Sequence, residues 1–186
     1  MSVPGGHGGT VVAVLVATVA LLVGGAAAIA GGDGGTIRTV GGTAGTPGCT
    51  APSLPGTTVA VEVGDRGAMG MGRATMRAVL VASPTSVPAG EVSFVVANTG
   101  ALVHELVVLP LPAGGPGTRP TGTDGTIDES QSRGEASRSC GAGTGAGIDP
   151  GSTGWTTVTL TPGRYELVCN QPWHYAAGMF DVLTVT

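Results

Sequence analysis

Lysine is absent from this sequence: its eight basic residues are all arginines, set against twelve carboxylates. The arginines form no cluster or stripe, and no aromatic side chains interleave with them, so the electrostatic footprint of a nucleic-acid-binding protein is missing. Aromatic residues are scarce too, with two each of Trp, Tyr and Phe in 186 residues. A core must therefore be built mainly from Val, Leu and Ala. Cysteine is limited to Cys49, Cys140 and Cys169. An odd count in an exported chain leaves one thiol over for something other than disulfide pairing. Glycine, by contrast, is plentiful at 35 residues.

The N-terminal part differs in character from the rest. Residues 10–30 read TVVAVLVATVALLVGGAAAIA and carry no charge, a run that matches the roughly 20 apolar residues of a membrane-crossing helix. Two readings stay open: a signal peptide cleaved after Ala28-Ile29-Ala30, or a retained anchor, toward which the length of the run leans. Both place the remainder of the chain outside the cytoplasm. Residues 31–56 are rich in Gly, Thr and Pro and read as a flexible linker. As a random coil this segment would span roughly 25–30 Å, enough to hold a domain off a membrane surface.

From residue 57 onward, short Val-rich runs alternate with Gly and Pro. Strands are expected at residues 58–63, 75–82, 92–98, 103–109, 155–160, 164–169 and 180–185. Several alternate with period two: Val92, Phe94 and Val96 share a face, as do His104, Leu106 and Val108, and Tyr165, Leu167 and Cys169. Turn chemistry separates them, as in Pro88-Ala89-Gly90, Asn98-Thr99-Gly100 and Thr161-Pro162-Gly163. Seven such strands without comparable helical periodicity imply an all-β, antiparallel Greek-key sandwich. Residues 112–154 do not fit that scheme and form an irregular insertion, with room for a short helix near residues 129–138 and expected to be pinned in part through Cys140. Met69, Met71 and Met76 read as packing or loop cover in preference to a Cu(I)-capturing cluster.

The chemistry-bearing pattern lies near the C-terminus, in YELVCNQPWHYAAGMFDVLTVT. Cys169, His174 and Met179 follow one another at five-residue intervals between two strands. A loop there can curl until thiolate, imidazole and thioether converge, and His104 lies on a strand that can sit beside it. Soft sulfur ligands with borderline imidazoles suit copper in both oxidation states, whereas zinc has little use for a thioether. A catalytic Cys–His pair would also need an orienting group and an oxyanion site. No motif supplies them, so an enzyme is not expected.

Cys-x4-His-x4-Met with an upstream Asn98-Thr99-Gly100…His104 resembles the cupredoxin, or type 1 blue copper, family. Its spacing is similar to the rusticyanin and sulfocyanin branch. The stretch VPAGEVSFVVANTGALVHELVVL (residues 87–109) resembles the strand pair that delivers the first histidine ligand there. The likeness covers residues 57–186 and is weakest over 112–154. It implies a cupredoxin-like sandwich holding one copper ion through His104, Cys169, His174 and Met179, cycling between Cu(I) and Cu(II). The implied function is a one-electron carrier outside the cytoplasm, with redox proteins such as membrane respiratory components as partners. The other reading is an extracytoplasmic copper-binding or delivery protein. With Cys169 as a ligand, Cys49 and Cys140 remain. They pair with each other by parity, or stay as free thiols, or pair with another molecule. Trp173 stands where relatives often carry glycine, and either shields the imidazole edge or joins a docking face. Glu105 is expected to point away from the ligand face.

Overall fold

The computed structural model describes residues 48–67 and 76–186. The apolar run at 10–30, its expected helix, most of the linker, and Met69 and Met71 lie outside the described residues. Among the described residues the elements are β1 (Thr57–Gly67), β2 (Met76–Ser83), β3 (Ser86–Val87), β4 (Gly90–Asn98), β5 (Leu106–Pro110), β6 (Gly134–Ala136), β7 (Thr153–Leu160), β8 (Gly163–Val168) and β9 (Phe180–Val185). They form two sheets, ordered β2-β1-β4-β7 and β3-β9-β8-β5-β6. Each expected strand is present, and the all-β, two-sheet arrangement is consistent with a cupredoxin.

The pairing is not wholly antiparallel. β1 runs parallel to β4, with Val59 opposite Phe94, and β3 runs parallel to β9. After β2 the chain crosses to the second sheet as β3 and returns on the other side of β1. A parallel neighbour requires such a crossover, which a tight hairpin cannot supply.

Period-two alternation sets the core. Val59, Val61 and Val63 from β1 and Val92, Phe94 and Val96 from β4 are buried against Leu106, Val108, Leu167 and Leu183 of the facing sheet. Each such side chain taken from water contributes about 1.5–3 kcal/mol. The second sheet is buried on its other face as well. Val107, Leu109 and Val168 point outward from the sandwich and are covered by Ile127 and Tyr175. That double burial is why β5 reads as an unbroken apolar run.

The cover comes from the insertion through Ile127 and from the loop after β8 through Tyr175, and the insertion is well anchored. The Asn170 side chain accepts from the Ile127 N–H at 2.7 Å and donates to the Ile127 carbonyl at 3.1 Å. Arg119 Nε meets Glu166 Oε2 at 2.7 Å, and the other Glu166 oxygen accepts from Gly117 N–H and the Tyr175 hydroxyl. Glu166 is fully buried, and this set of donors is what allows a carboxylate there. The short helix that residues 129–138 have room for does not form. Gly134–Ala136 instead becomes β6, pairing Ala136 with Leu106 along the edge of β5. An open strand edge beside a buried sheet needs a partner, and this segment supplies it. Cys49 and Cys140 form a disulfide, Cα to Cα 5.3 Å.

Candidate metal centre

Three of the four expected ligands meet at one end of the sandwich. Cys169 directly follows β8, and Met179 directly precedes β9. Between them the loop winds back on itself through Ala177 N–H to Trp173 carbonyl (3.0 Å), Met179 N–H to His174 carbonyl (3.1 Å) and Cys169 N–H to Met179 carbonyl (3.1 Å). This winding turns the His174 ring toward Cys169. Trp173, at φ 71°, takes a conformation that non-glycine residues seldom adopt, and its N–H is held by the Gly125 carbonyl at 2.9 Å. Gly125 is required there: at φ +80°, a Cβ would stand 2.6 Å from the indole Cδ2.

His104 arrives differently. The strand expected at 103–109 begins only at Leu106. His104 is instead fixed by a two-way backbone bridge to Ile148, donating at 3.2 Å and accepting at 2.7 Å. Asn98 braces the preceding turn, donating to the Leu102 and Ile148 carbonyls at 2.8 and 2.7 Å and accepting from Gly100 N–H at 2.9 Å.

The donor atoms face one another. His104 Nδ1 and His174 Nδ1 are 3.2 Å apart, and Cys169 Sγ lies 3.8 Å from the first and 3.3 Å from the second. An ion about 2.0–2.3 Å from each donor of a trigonal plane keeps those donors roughly 3.5–3.8 Å apart, so the spacing accommodates one metal ion after small adjustments. The remaining chemistry agrees. Burial pushes the Cys169 thiol up to about 12, opposed by the backbone N–H groups of Gln171 and Glu105 bonded to its sulfur. A thiolate in that pocket needs a cation, and metal binding supplies one while releasing the proton. Burial, reinforced by His104 and opposed by Asp65, holds His174 below its ordinary value. It is thus a neutral imidazole with a free lone pair near pH 7. Two imidazoles and one thiolate form the donor plane of a copper electron-transfer centre. The cluster fits a type 1 copper site, and it would take a single copper ion.

Met179 is fully buried in the same core cluster as Cys169, held beside the copper donors by its backbone bonds to Cys169 and His174. Glu105 is buried as well, and its Oε2 accepts from the Gln171 side chain at 3.0 Å. It braces the ligand loop. Trp173 is 57% exposed, so it lies on the surface beside the copper site.

Sequence reasoning missed Asp65. Its Oδ1 sits 3.1 Å from His104 Nε2, and nothing in the local run Gly64-Asp65-Arg66 marks it. It also missed Ile148 and the Arg119–Glu166–Tyr175 network. Asn98 was visible only as part of its turn.

No family model and no curated protein matches this chain. Among solved structures it is similar to reduced auracyanin from Roseiflexus castenholzii (21% identity, 70% of this chain and 98% of that one, TM-score 0.44). Auracyanin A, a "blue" copper protein from Chloroflexus aurantiacus, is 19% identical over 69% of this chain and 99% of its own (TM-score 0.41). Rusticyanin from Thiobacillus ferrooxidans is 23% identical over 75% and 86% (TM-score 0.41). These likenesses are too distant to carry the assignment, which rests on the donor set.

Proposed function

We propose that this protein is a mononuclear type 1 copper protein that carries single electrons outside the cytoplasm. The observation that carries the reading is the convergence of two imidazole Nδ1 atoms and a fully buried thiol within 3.8 Å. Met179 is the axial thioether in this reading, supported by its complete burial and its place beside Cys169. Copper bound there would exchange one electron between Cu(I) and Cu(II). The chain's own part is to hold the donors in place, exclude water around Cys169 and leave the half-buried His174 as the edge nearest solvent. A donor set fixed at the ends of β5, β8 and β9, strands of one sheet, and on a tightly wound loop changes little between oxidation states, which favours rapid transfer. The partners are redox proteins, membrane respiratory components among them, approaching the face around His174 and Trp173. The extracytoplasmic setting is supported by the Cys49–Cys140 disulfide, since such bonds persist in oxidising compartments. The uncharged run at 10–30 would export or anchor the domain.

The test is copper titration followed by optical and paramagnetic-resonance spectroscopy and voltammetry. An intense thiolate-to-Cu(II) band, lost in Cys169→Ser, together with a reversible one-electron wave is expected. Tight Cu(I) binding without that band would replace the carrier with a copper-delivery protein.

A further inference from the structure

His104 is held by a carboxylate as well as by its backbone. Asp65, near the end of β1, belongs to the opposite sheet from the strand His104 precedes. Its Oδ1 accepts from Ala101 N–H at 2.8 Å, Leu102 N–H at 2.9 Å and His104 Nε2 at 3.1 Å. The loop carrying these donors lies tightly against β1: Thr99 N–H donates to the Val63 carbonyl at 2.9 Å. Gly100 permits that approach, because a Cβ there would come within 2.3 Å of Asp65 Oδ1. The carboxylate cannot turn away without releasing two backbone donors. Its side chain is only 11% exposed, and that of His104 is 1% exposed, so water screens the pair weakly.

We propose that Asp65 is a positioning and tuning residue of the copper site, fixing His104 with its proton on Nε2 and its lone pair on Nδ1 and biasing the bound metal toward Cu(II). The inference rests on the copper reading of the donor cluster. A neutral imidazole has one N–H, and giving it to Asp65 commits Nδ1 to the acceptor role that faces Cys169 and His174. A carboxylate bonded to the far nitrogen of a ligating histidine both orients the ring and strengthens it as a donor. A stronger donor beside a fixed negative charge favours the more highly charged metal ion.

The experiment compares the full-length protein with Asp65→Asn and Asp65→Ala. Asparagine keeps an acceptor oxygen for all three donors while removing the charge and turning the other oxygen into an NH2 donor. Copper-loaded Asp65→Asn should retain the thiolate band and show at least a tenfold shift of the redox equilibrium toward Cu(I), which is 59 mV for one electron. In the metal-free protein, nitrogen-15 NMR of the histidine rings should show a single Nε2–H tautomer at His104. That tautomer should persist in Asp65→Asn and give way to a mixture in Asp65→Ala. An unchanged potential in Asp65→Asn would overturn the tuning role, and an unchanged tautomer in Asp65→Ala would overturn the positioning role. Failure of the copper reading would be seen separately, as absence of the thiolate band in the unaltered protein, and the tautomer measurement would still judge Asp65.

Discussion

The two histidines of the cluster present the same Nδ1 atom to the same thiol, yet the molecule holds them in opposite ways. His104 is 1% exposed, bridged to Ile148 through its backbone and bonded to Asp65 through its ring. His174 is half-buried and rides on a short loop between Cys169 and Met179, beside an exposed Trp173. One is an anchor between the sheets, and the other is an edge that reaches toward solvent. The electron-transfer role proposed for the site needs both, since a fully buried centre would be slow to reach and a fully exposed one would lose its geometry to water.

The largest test of that contrast removes each ring in turn. Either His104→Gly or His174→Gly should abolish the blue band on copper loading. Free imidazole should restore it in His174→Gly, where the gap opens to solvent, and fail in His104→Gly, where the gap is closed and faces Asp65. Optical titration with imidazole checks this, and equal rescue of both would erase the distinction.

A smaller effect is expected from the ion pair beneath the His174 loop. Arg119→Ala strands the buried Glu166 carboxylate that also receives the Tyr175 hydroxyl. Losing one partner of a buried pair costs about 3–5 kcal/mol, measurable by denaturant unfolding. Copper affinity should fall with it through the loop, while the His104 tautomer stays unchanged.

The smallest effect separates the two by pH in the metal-free protein. Glu105, next to His104, is pushed up from 4.5 to about 7 by burial, against the opposing Gln171 hydrogen bond. Between those values the folded chain keeps a proton that the unfolded chain has released, so stability falls as pH rises through the window. Glu105→Gln should remove that decline, about 3 kcal/mol at most by pH 8. His174 acts in the reverse sense: burial lowers its pKa from 6.5, so its contribution is complete above that value and is lost as pH falls below it. Unfolding curves recorded from about pH 4 to about pH 8 should show the sum of these opposing slopes where the two windows overlap, and Glu105→Gln should leave only the rising one.

Much of the site is legible in the sequence. Cys169, His174 and Met179 sit on one short loop, and a loop brings residues together by local winding, which spacing reports directly. The strands were legible for a similar reason: alternation such as Val92, Phe94, Val96 marks one buried face. The start of β5 is not legible, because His104 continues the alternation while pairing with Ile148 outside any regular ladder. The insertion misled more seriously. Its Gly134–Ala136 segment forms an edge strand whose partner, β5, lies well upstream, and no local pattern shows which distant edge is open.

The residues alone therefore determined the donor chemistry, the alternating strands and the odd cysteine count that left Cys49 and Cys140 over, since each depends on residue type or on neighbours close in the chain. Tertiary structure decided the parallel β1–β4 pairing, the apolar cover over the second sheet, the Glu166 ion pair and the Asp65 bond to His104. These join positions as far as 39 residues apart for Asp65 and 47 for Arg119. Such contacts exist only once two sheets have packed, and a single carboxylate in a strand carries no mark of the imidazole it will meet.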